Sequence, residues 1–526
     1  MKVNWISVTR LRRLDNGVTS SNVSSVRSRR FPQPARGFAA SCRQRQQNGE
    51  LAVDAGPTAS DALESLEQVA RRSIPPRAGY PATKRSWPNR GKVNSAQAFA
   101  KRLNVSIDGQ LEQFDYIFLR DACACPLCID TSTRQKLFQT SDIPADITSR
   151  NLLQSPDGTV QLRWTKDVPG YSAEHSSTFT PSFLRTYSRR RNRMRSRYND
   201  TRQVLWNRDI MTSDVRSLDF TDYMQHDSTL LEALQQLNLY GLVFLHNVPP
   251  SASSVAEIGT RIGPLRHTFY GETWDVRSVP SAKNVAYTSQ HLGMHMDLLY
   301  FADPPTLQLL HCVHNTTQGG SSLFSDSFRA AAQLRLGSPT LFRALQHFPV
   351  TYHYVNDSQH YHATHPTIEM DPHPSSSASS SSTPTSSIPH DPPHRLHSVN
   401  YSPPFQAPFE INTGSDDQGA RLRHYHAGIR AFARLLDSDE AVYERRMAEG
   451  ECVIFHNRRV LHARRAFDTS SGRRWLRGAY LDGDAFKSRY RVLMEQERAQ
   501  RAEGEREREG REWDEDGRQS DGFEHV

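Results

Sequence analysis

The sequence has no run approaching the roughly 18 consecutive apolar residues that a membrane-crossing helix needs, which excludes a helical span. Cysteine is scarce. Six in 526 residues cannot form a disulfide framework, and an intracellular setting is the expectation. Acid is lacking in one place: residues 1–47 hold Lys2 and nine arginines against Asp15 alone. Their local charge of +9 (10 − 1) leaves −1 for the rest of a chain whose net charge is +8. A basic excess confined to one end makes no charged face for a polyanion, so nucleic acid is not an expected partner.

That segment is also rich in serine, and Trp5, Ile6, Val8, Leu11 and Leu14 can line one side of an amphipathic helix. This is the composition of a mitochondrial presequence, which gives the matrix as the expected location. Read as a disordered basic tail, the same residues leave a cytoplasmic location open. Residues 48–94 read as a linker with one short helix. Ser60 caps it, Leu63, Leu66, Val69 and Ala70 share a face, and Ile74-Pro75-Pro76 stops it.

From 95 to 195 the texture is that of a small β-rich domain. Gln113–Leu119 and Val160–Trp164 read as strands, Ser155-Pro156-Asp157-Gly158 as a turn, and the basic run Arg185–Arg197 closes the segment. A larger domain spans 210–495. Leu230, Leu231, Leu234 and Leu237 have helical spacing, as do Tyr425, Ile429, Phe432 and Leu436, whereas Leu242–Leu245, Thr306–Val313 and Glu451–Phe455 read as strands. Within it, residues 371–398 are dominated by Ser, Pro and His and read as a disordered insert. Residues 496–526 form a charged tail, a solvated helix or a frayed end.

Two constellations carry chemistry. Three of the six cysteines, Cys123, Cys125 and Cys128, fall within six residues around Pro126. Thiolates this close suit a tetrahedral zinc ion, with His175 as the candidate fourth ligand of a closed, structural site. Coincidental clustering of buried cysteines is the alternative. The second begins at Gly293-Met294-His295-Met296-Asp297, where a strand would point His295 and Asp297 to one face. Alone the pair is weak, since 22 histidines make it an ordinary coincidence. Downstream, however, come His462, behind the strand Glu451–Phe455, and Arg474. Two histidines and a carboxylate with open positions are the facial set of non-haem Fe(II) oxygenases, and an arginine can grip the far carboxylate of a 2-oxo acid in a two-pronged bond.

These residues stand in recognisable surroundings: Phe118-Leu119-Arg120-Asp121-Ala122-Cys123, Phe269-Tyr270-Gly271-Glu272-Thr273-Trp274, Asn284-Val285-Ala286-Tyr287-Thr288 and Gly478-Ala479-Tyr480. Over residues 95–195 and 210–495 the chain resembles the fungal branch of the gamma-butyrobetaine dioxygenase and trimethyllysine dioxygenase family, within the taurine-dioxygenase-like superfamily. The resemblance implies a mainly β fold with flanking helices. Its core would be a double-stranded β-helix (jelly roll), preceded by the small zinc-stabilised domain. It implies iron at His295, Asp297 and His462, and 2-oxoglutarate at Arg474 and Ser322. Zinc would sit at Cys123, Cys125, Cys128 and His175, with ascorbate as reductant. The partners would be dioxygen and a small trimethylammonium substrate, with room for a homodimer. A quaternary ammonium donates no hydrogen bond, so ring faces receive it. Tyr270, Trp274 and Tyr480 match that box, and Asn284 and Tyr287 match positions nearer the substrate's polar end.

Asn284, the tight cysteine cluster and Gly478-Ala479-Tyr480 resemble the gamma-butyrobetaine enzymes, whereas the trimethyllysine enzymes place an acid at the position of Asn284. Three features depart from the animal butyrobetaine pattern: Arg477 where an acid is usual, Leu298 where a tyrosine follows the metal aspartate, and Tyr401-Ser402-Pro403-Pro404-Phe405 in place of an Asn-rich segment. The presequence favours the trimethyllysine enzyme, the mitochondrial one in animals. The expected activity is hydroxylation of gamma-butyrobetaine to L-carnitine. Trimethyllysine hydroxylation and a catalytically silent scaffold are the alternatives.

Overall fold

The computed structural model describes residues 93–199, 203–277, 288–356, 358–371, 396–412 and 416–518. The expected presequence and linker helix, residues 372–395 of the insert, and Asn284 and Tyr287 lie outside the described residues.

Strands β1 (Val93–Ala98), β2 (Arg102–Ile107) and β3 (Gln110–Asp115) form an antiparallel sheet, and β4 (Ser149–Gln154), β5 (Val160–Trp164) and β6 (Ser176–Phe179) form a second. Leu103, Val105 and Ile107 alternate inward from β2 to meet Val160, Leu162 and Trp164 of β5 in one buried cluster. The expected strand Gln113–Leu119 is corrected. It breaks at Asp115, whose carboxylate accepts from the Ile117 amide at 2.8 Å and starts a helix over Tyr116–Asp121. The cap overrides the strand preference of Tyr116, Ile117 and Phe118. The basic run occupies two short helices, Pro181–Ser188 and Arg190–Ser196.

The larger region contributes β7 (Ser217–Asp219), β8 (Leu242–His246), β9 (Thr273–Arg277), β10 (Leu292–His295), β11 (Leu307–Asn315), β12 (Gln318–Gly319), β13 (Ser322–Asp326), β14 (Pro349–Asn356), β15 (Gln359–Pro366), β16 (Ile368–Met370), β17 (Leu396–Val399), β18 (Tyr443–Arg445), β19 (Glu451–His456), β20 (Val460–Arg464), β21 (Phe467–Asp468) and β22 (Arg474–Leu481). One sheet runs β7-β8-β19-β11-β22-β9 and another β10-β20-β13-β18. Their inner faces share a core in which Phe244, Cys312, Val453 and Leu476 of the first meet Phe324, Tyr443 and Val460 of the second. Outside the first sheet pack the helices Asp227–Leu239 and Ser254–Ile262 with Phe486, Tyr490 and Leu493 of the helix Gly483–Arg518. Outside the second pack Ser327–Gly337, Pro339–His347 and Asp416–Leu436. The result is mainly sheet with flanking helices.

Three expectations shift. Trp206, just upstream of 210, is fully buried in the inter-sheet core. Leu396, His397 and Ser398, assigned by composition to the insert, belong to β17, where Leu396 and Ser398 pair with β16, and Ser398 is buried. Asp297 is not on a strand: β10 ends at His295, and the next residue's amide bonds the Tyr401 carbonyl at 3.0 Å.

Candidate functional site

His295 closes β10 and His462 sits opposite it on β20, so register alone brings the imidazoles together, with ring centres 4.1 Å apart. Asp297 joins them through the turn after β10. Asn457 fixes that turn by accepting from the Asp297 amide at 2.9 Å and donating to the Asp297 carbonyl at 3.0 Å. One ligand atom from each of His295, Asp297 and His462 lies within 4.8 Å of the others. His295 donates from Nδ1 to the Gly293 carbonyl at 2.9 Å, which leaves its Nε2 lone pair for an ion.

Electrostatics suit a cation here. Burial pushes His462 down to about 3, helped by the neighbouring His295, so its imidazole is neutral and able to ligate. Burial would raise Asp297, but the neighbouring His295 and His462 and the Tyr480 hydroxyl outweigh it and hold the carboxyl at about 2. Burial and the Asp297 charge push the Tyr480 phenol well up, so it stays protonated and donates to Asp297 Oδ2 at 2.8 Å. Two imidazoles and a carboxylate fit an iron(II) ion by donor type.

Arg474 begins β22. Burial pushes its guanidinium down to about 10, and its Nε has no hydrogen-bond partner among the described residues. Arg464, two residues beyond His462 on β20, is likewise pushed down to about 10 by burial and then by Arg474. The two cations flank Phe467 at 5.4 and 5.1 Å from its centre. Gly320, at φ +71°, lies beside the pair: a Cβ there would sit 3.3 Å from Phe467 Cβ and 3.4 Å from Arg474 Nε. A buried cation with an unused donor fits a dicarboxylate co-substrate. Ser322 opens β13 and is buried opposite Arg464 on β20.

Trp274 stacks on Tyr480 at 5.2 Å and lies over Gly478, its register partner on β22. Tyr270 packs against the same cluster, its hydroxyl 3.3 Å from that of Tyr300 and its ring beside Phe269 and Tyr354. Arg477 pairs with Asp275 at 2.8 Å and so has a partner within the sheet.

In the small domain His175 Nε2 lies 3.8, 3.4 and 3.4 Å from the sulfurs of Cys123, Cys125 and Cys128. Burial and Cys123 push Cys128 up to about 12, whereas at Cys125 the hydrogen bonds of His175, Cys128, the Leu127 backbone and Cys123 together outweigh burial and hold it at about 7. Such a set coexists as thiolates only around a cation, and Cys3His suits zinc. Asp167 accepts from His175 Nδ1 at 2.6 Å and pairs with Arg120, which also donates to Cys128 at 3.3 Å. Arg120 is fully buried, 4.5 Å from the ring centres of both Phe138 and Tyr171.

Reasoning from sequence missed Gln308, Asn457, Arg464, Asp167 and Tyr300. Signals existed for two. Gln308 is the one amide in the apolar run Leu307–Leu310, and Arg464 shares a strand face with His462.

Residues 206–480 match the model of the Taurine catabolism dioxygenase TauD, TfdA family, and residues 96–185 match Gamma-butyrobetaine hydroxylase-like, N-terminal. The chain belongs to the TauD/TfdA dioxygenases and is an iron- and 2-oxoglutarate-dependent enzyme of the gamma-butyrobetaine and trimethyllysine dioxygenase type. It is 38% identical over 398 residues to Dioxygenase str8 of Strobilurus tenacellus, covering 73% of this chain and 85% of that protein. It is 31% identical over 411 residues to the Gamma-butyrobetaine dioxygenase of Pseudomonas sp. (strain AK-1), covering 78% and 98%. With the Bos taurus protein named Trimethyllysine dioxygenase, mitochondrial, the identity is 26% over 392 residues, covering 72% and 83%.

Proposed function

We propose that the protein hydroxylates gamma-butyrobetaine to L-carnitine in the mitochondrial matrix. His295, Asp297 and His462 would hold iron, and Arg474, with Ser322 beside it, 2-oxoglutarate. The observation that carries the reading is the convergence of the three ligand atoms within 4.8 Å, in a region that also buries Arg474. Bound iron and 2-oxoglutarate supply the oxidising chemistry: dioxygen gives one atom to the co-substrate, which leaves as succinate and carbon dioxide, and one to a substrate C–H bond.

The chain's own residues bind and orient. Arg474 takes the distal carboxylate of the co-substrate, and the His295 Nδ1 bond keeps Nε2 available. The ring faces of Trp274, Tyr480 and Tyr270 receive the trimethylammonium group, and Asn284 and Tyr287 serve its polar end. A zinc ion at Cys123, Cys125, Cys128 and His175 stabilises the small domain ahead of the double-stranded β-helix. Ascorbate keeps the iron reduced. Asn284 and the 98% coverage of the Pseudomonas enzyme support butyrobetaine. The basic segment 1–47, together with a relative named as mitochondrial, supports trimethyllysine as the second reading.

The test is turnover of purified protein with iron, ascorbate, 2-oxoglutarate and each substrate in turn. Carnitine from gamma-butyrobetaine is expected. Hydroxytrimethyllysine alone selects the second reading, and no substrate-dependent succinate from either would sink both.

A further inference from the structure

We propose that Gln308 and Tyr480 are positioning residues that make Asp297 a one-oxygen ligand, and that Tyr480 thereby ties the aromatic box to the metal centre. The inference rests on the iron reading above. The two oxygens of Asp297 are not equivalent. Oδ1 faces Nε2 of His295 at 3.4 Å and of His462 at 3.9 Å. Oδ2 points away and accepts two hydrogen bonds, from Gln308 Nε2 at 2.7 Å and from the Tyr480 hydroxyl at 2.8 Å. A carboxylate oxygen offers about two lone-pair sites, and both are taken. An ion among the two imidazoles finds only Oδ1 free.

The consequence lies in the count of open positions. Two imidazoles and one oxygen would take three places of a six-coordinate iron, which would leave three for a chelating 2-oxo acid and dioxygen together. A carboxylate gripping through both oxygens would leave two, and one of those partners would have no place. Asn457 already fixes the Asp297 main chain, so the remaining freedom is rotation of the carboxylate, which the two donors arrest.

The donors are delivered by the sheet. Gln308 on β11 and Tyr480 on β22 are direct register partners, so their side chains leave the same face side by side. Gln308 is fully buried and Tyr480 nearly so. The next strand adds the second half of the proposal: Trp274 of β9 stacks on the Tyr480 ring. One tyrosine therefore touches the box with its ring and the ligand with its hydroxyl. A cation that settles against Trp274 and Tyr480 bears directly on a group holding Asp297.

Cobalt(II) is the probe, added to protein whose cysteine–histidine site has first been filled with zinc. The visible spectrum reports coordination, and the titration reports affinity. Tyr480→Phe keeps the ring and removes one donor, and Gln308→Met keeps the length and removes the other. Each is expected to weaken cobalt binding about tenfold and to alter the spectrum, with zinc content unchanged. The double variant should be weaker still. Adding gamma-butyrobetaine should shift the cobalt spectrum of the wild type more than that of Tyr480→Phe. Wild-type affinity and spectrum in both single variants, with binding lost in His295→Ala, would overturn the inference and leave the iron reading standing. An equal butyrobetaine shift in wild type and Tyr480→Phe would overturn the tie to the box. Cobalt binding unaltered in His295→Ala would remove the iron reading and this inference with it.

Discussion

Gly478 shows how much of the site is set by what a residue omits. A Cβ at this position would come within 2.3 Å of the Trp274 ring, a distance no relaxed structure tolerates. Trp274 can lie flat across β22 and stack on Tyr480 only because position 478 has no side chain. Gly478→Ala must move the indole, and overpacking of this kind costs about 1–3 kcal/mol. If that cost falls on the ammonium box, the KM for the trimethylammonium substrate rises tenfold or more while the KM for 2-oxoglutarate stays near the wild-type value. Steady-state kinetics with each substrate varied in turn checks this, and an unchanged ammonium KM would remove Trp274 from the box. The residues that offer donors for a metal were legible in the sequence because their donor chemistry is distinctive. The residues that orient them were not. Gln308 and Asn457 are ordinary amides, and only folding places one against Asp297 Oδ2 and the other against its main chain.

The elements place these residues by register and by short turns. The turn between β19 and β20, Asn457-Arg458-Arg459, anchors the strand that carries His462. Arg459 is buried against Asp326 with N–O distances of 3.0 and 2.9 Å, and it also donates to the Leu239 carbonyl at 2.9 Å. Both side chains are almost wholly excluded from solvent, at 1% and 0%. Replacing Arg459 with methionine strands a buried carboxylate and should cost about 3–5 kcal/mol, read as a lowered denaturation midpoint. A loss under about 1 kcal/mol would mean that the surrounding donors, the Phe328 and Trp206 amides, satisfy Asp326 by themselves. Elements with a clean period were readable in advance, as with Val160–Trp164 and the helix bearing Leu230, Leu234 and Leu237. The failures were at ends. A single capping carboxylate turned Tyr116–Asp121 into helix, and β10 stopped two residues short of Asp297.

At the scale of the whole chain, charge and chemistry are separated. The basic excess lies in residues 1–47, and the remainder carries −1. Within the folded region two sheets, antiparallel except for the β7–β8 pair, face one another. The edge and central strands β10 and β20 bring His295 and His462 together, and β22 supplies both Arg474 and Tyr480. Single strands such as Val160–Trp164 were legible from hydrophobic pattern and turn signals. The pairing of β11 with both β19 and β22 was not, because strand order depends on contacts distant in sequence. In the proposed reaction this arrangement would split dioxygen between a 2-oxo acid and a trimethylammonium substrate. Turnover of gamma-butyrobetaine under heavy-isotope dioxygen, followed by mass spectrometry, tests that most directly. One heavy oxygen atom in succinate and one in carnitine is the predicted result, and carnitine labelled instead from solvent water, or heavy succinate with no labelled carnitine, would contradict it.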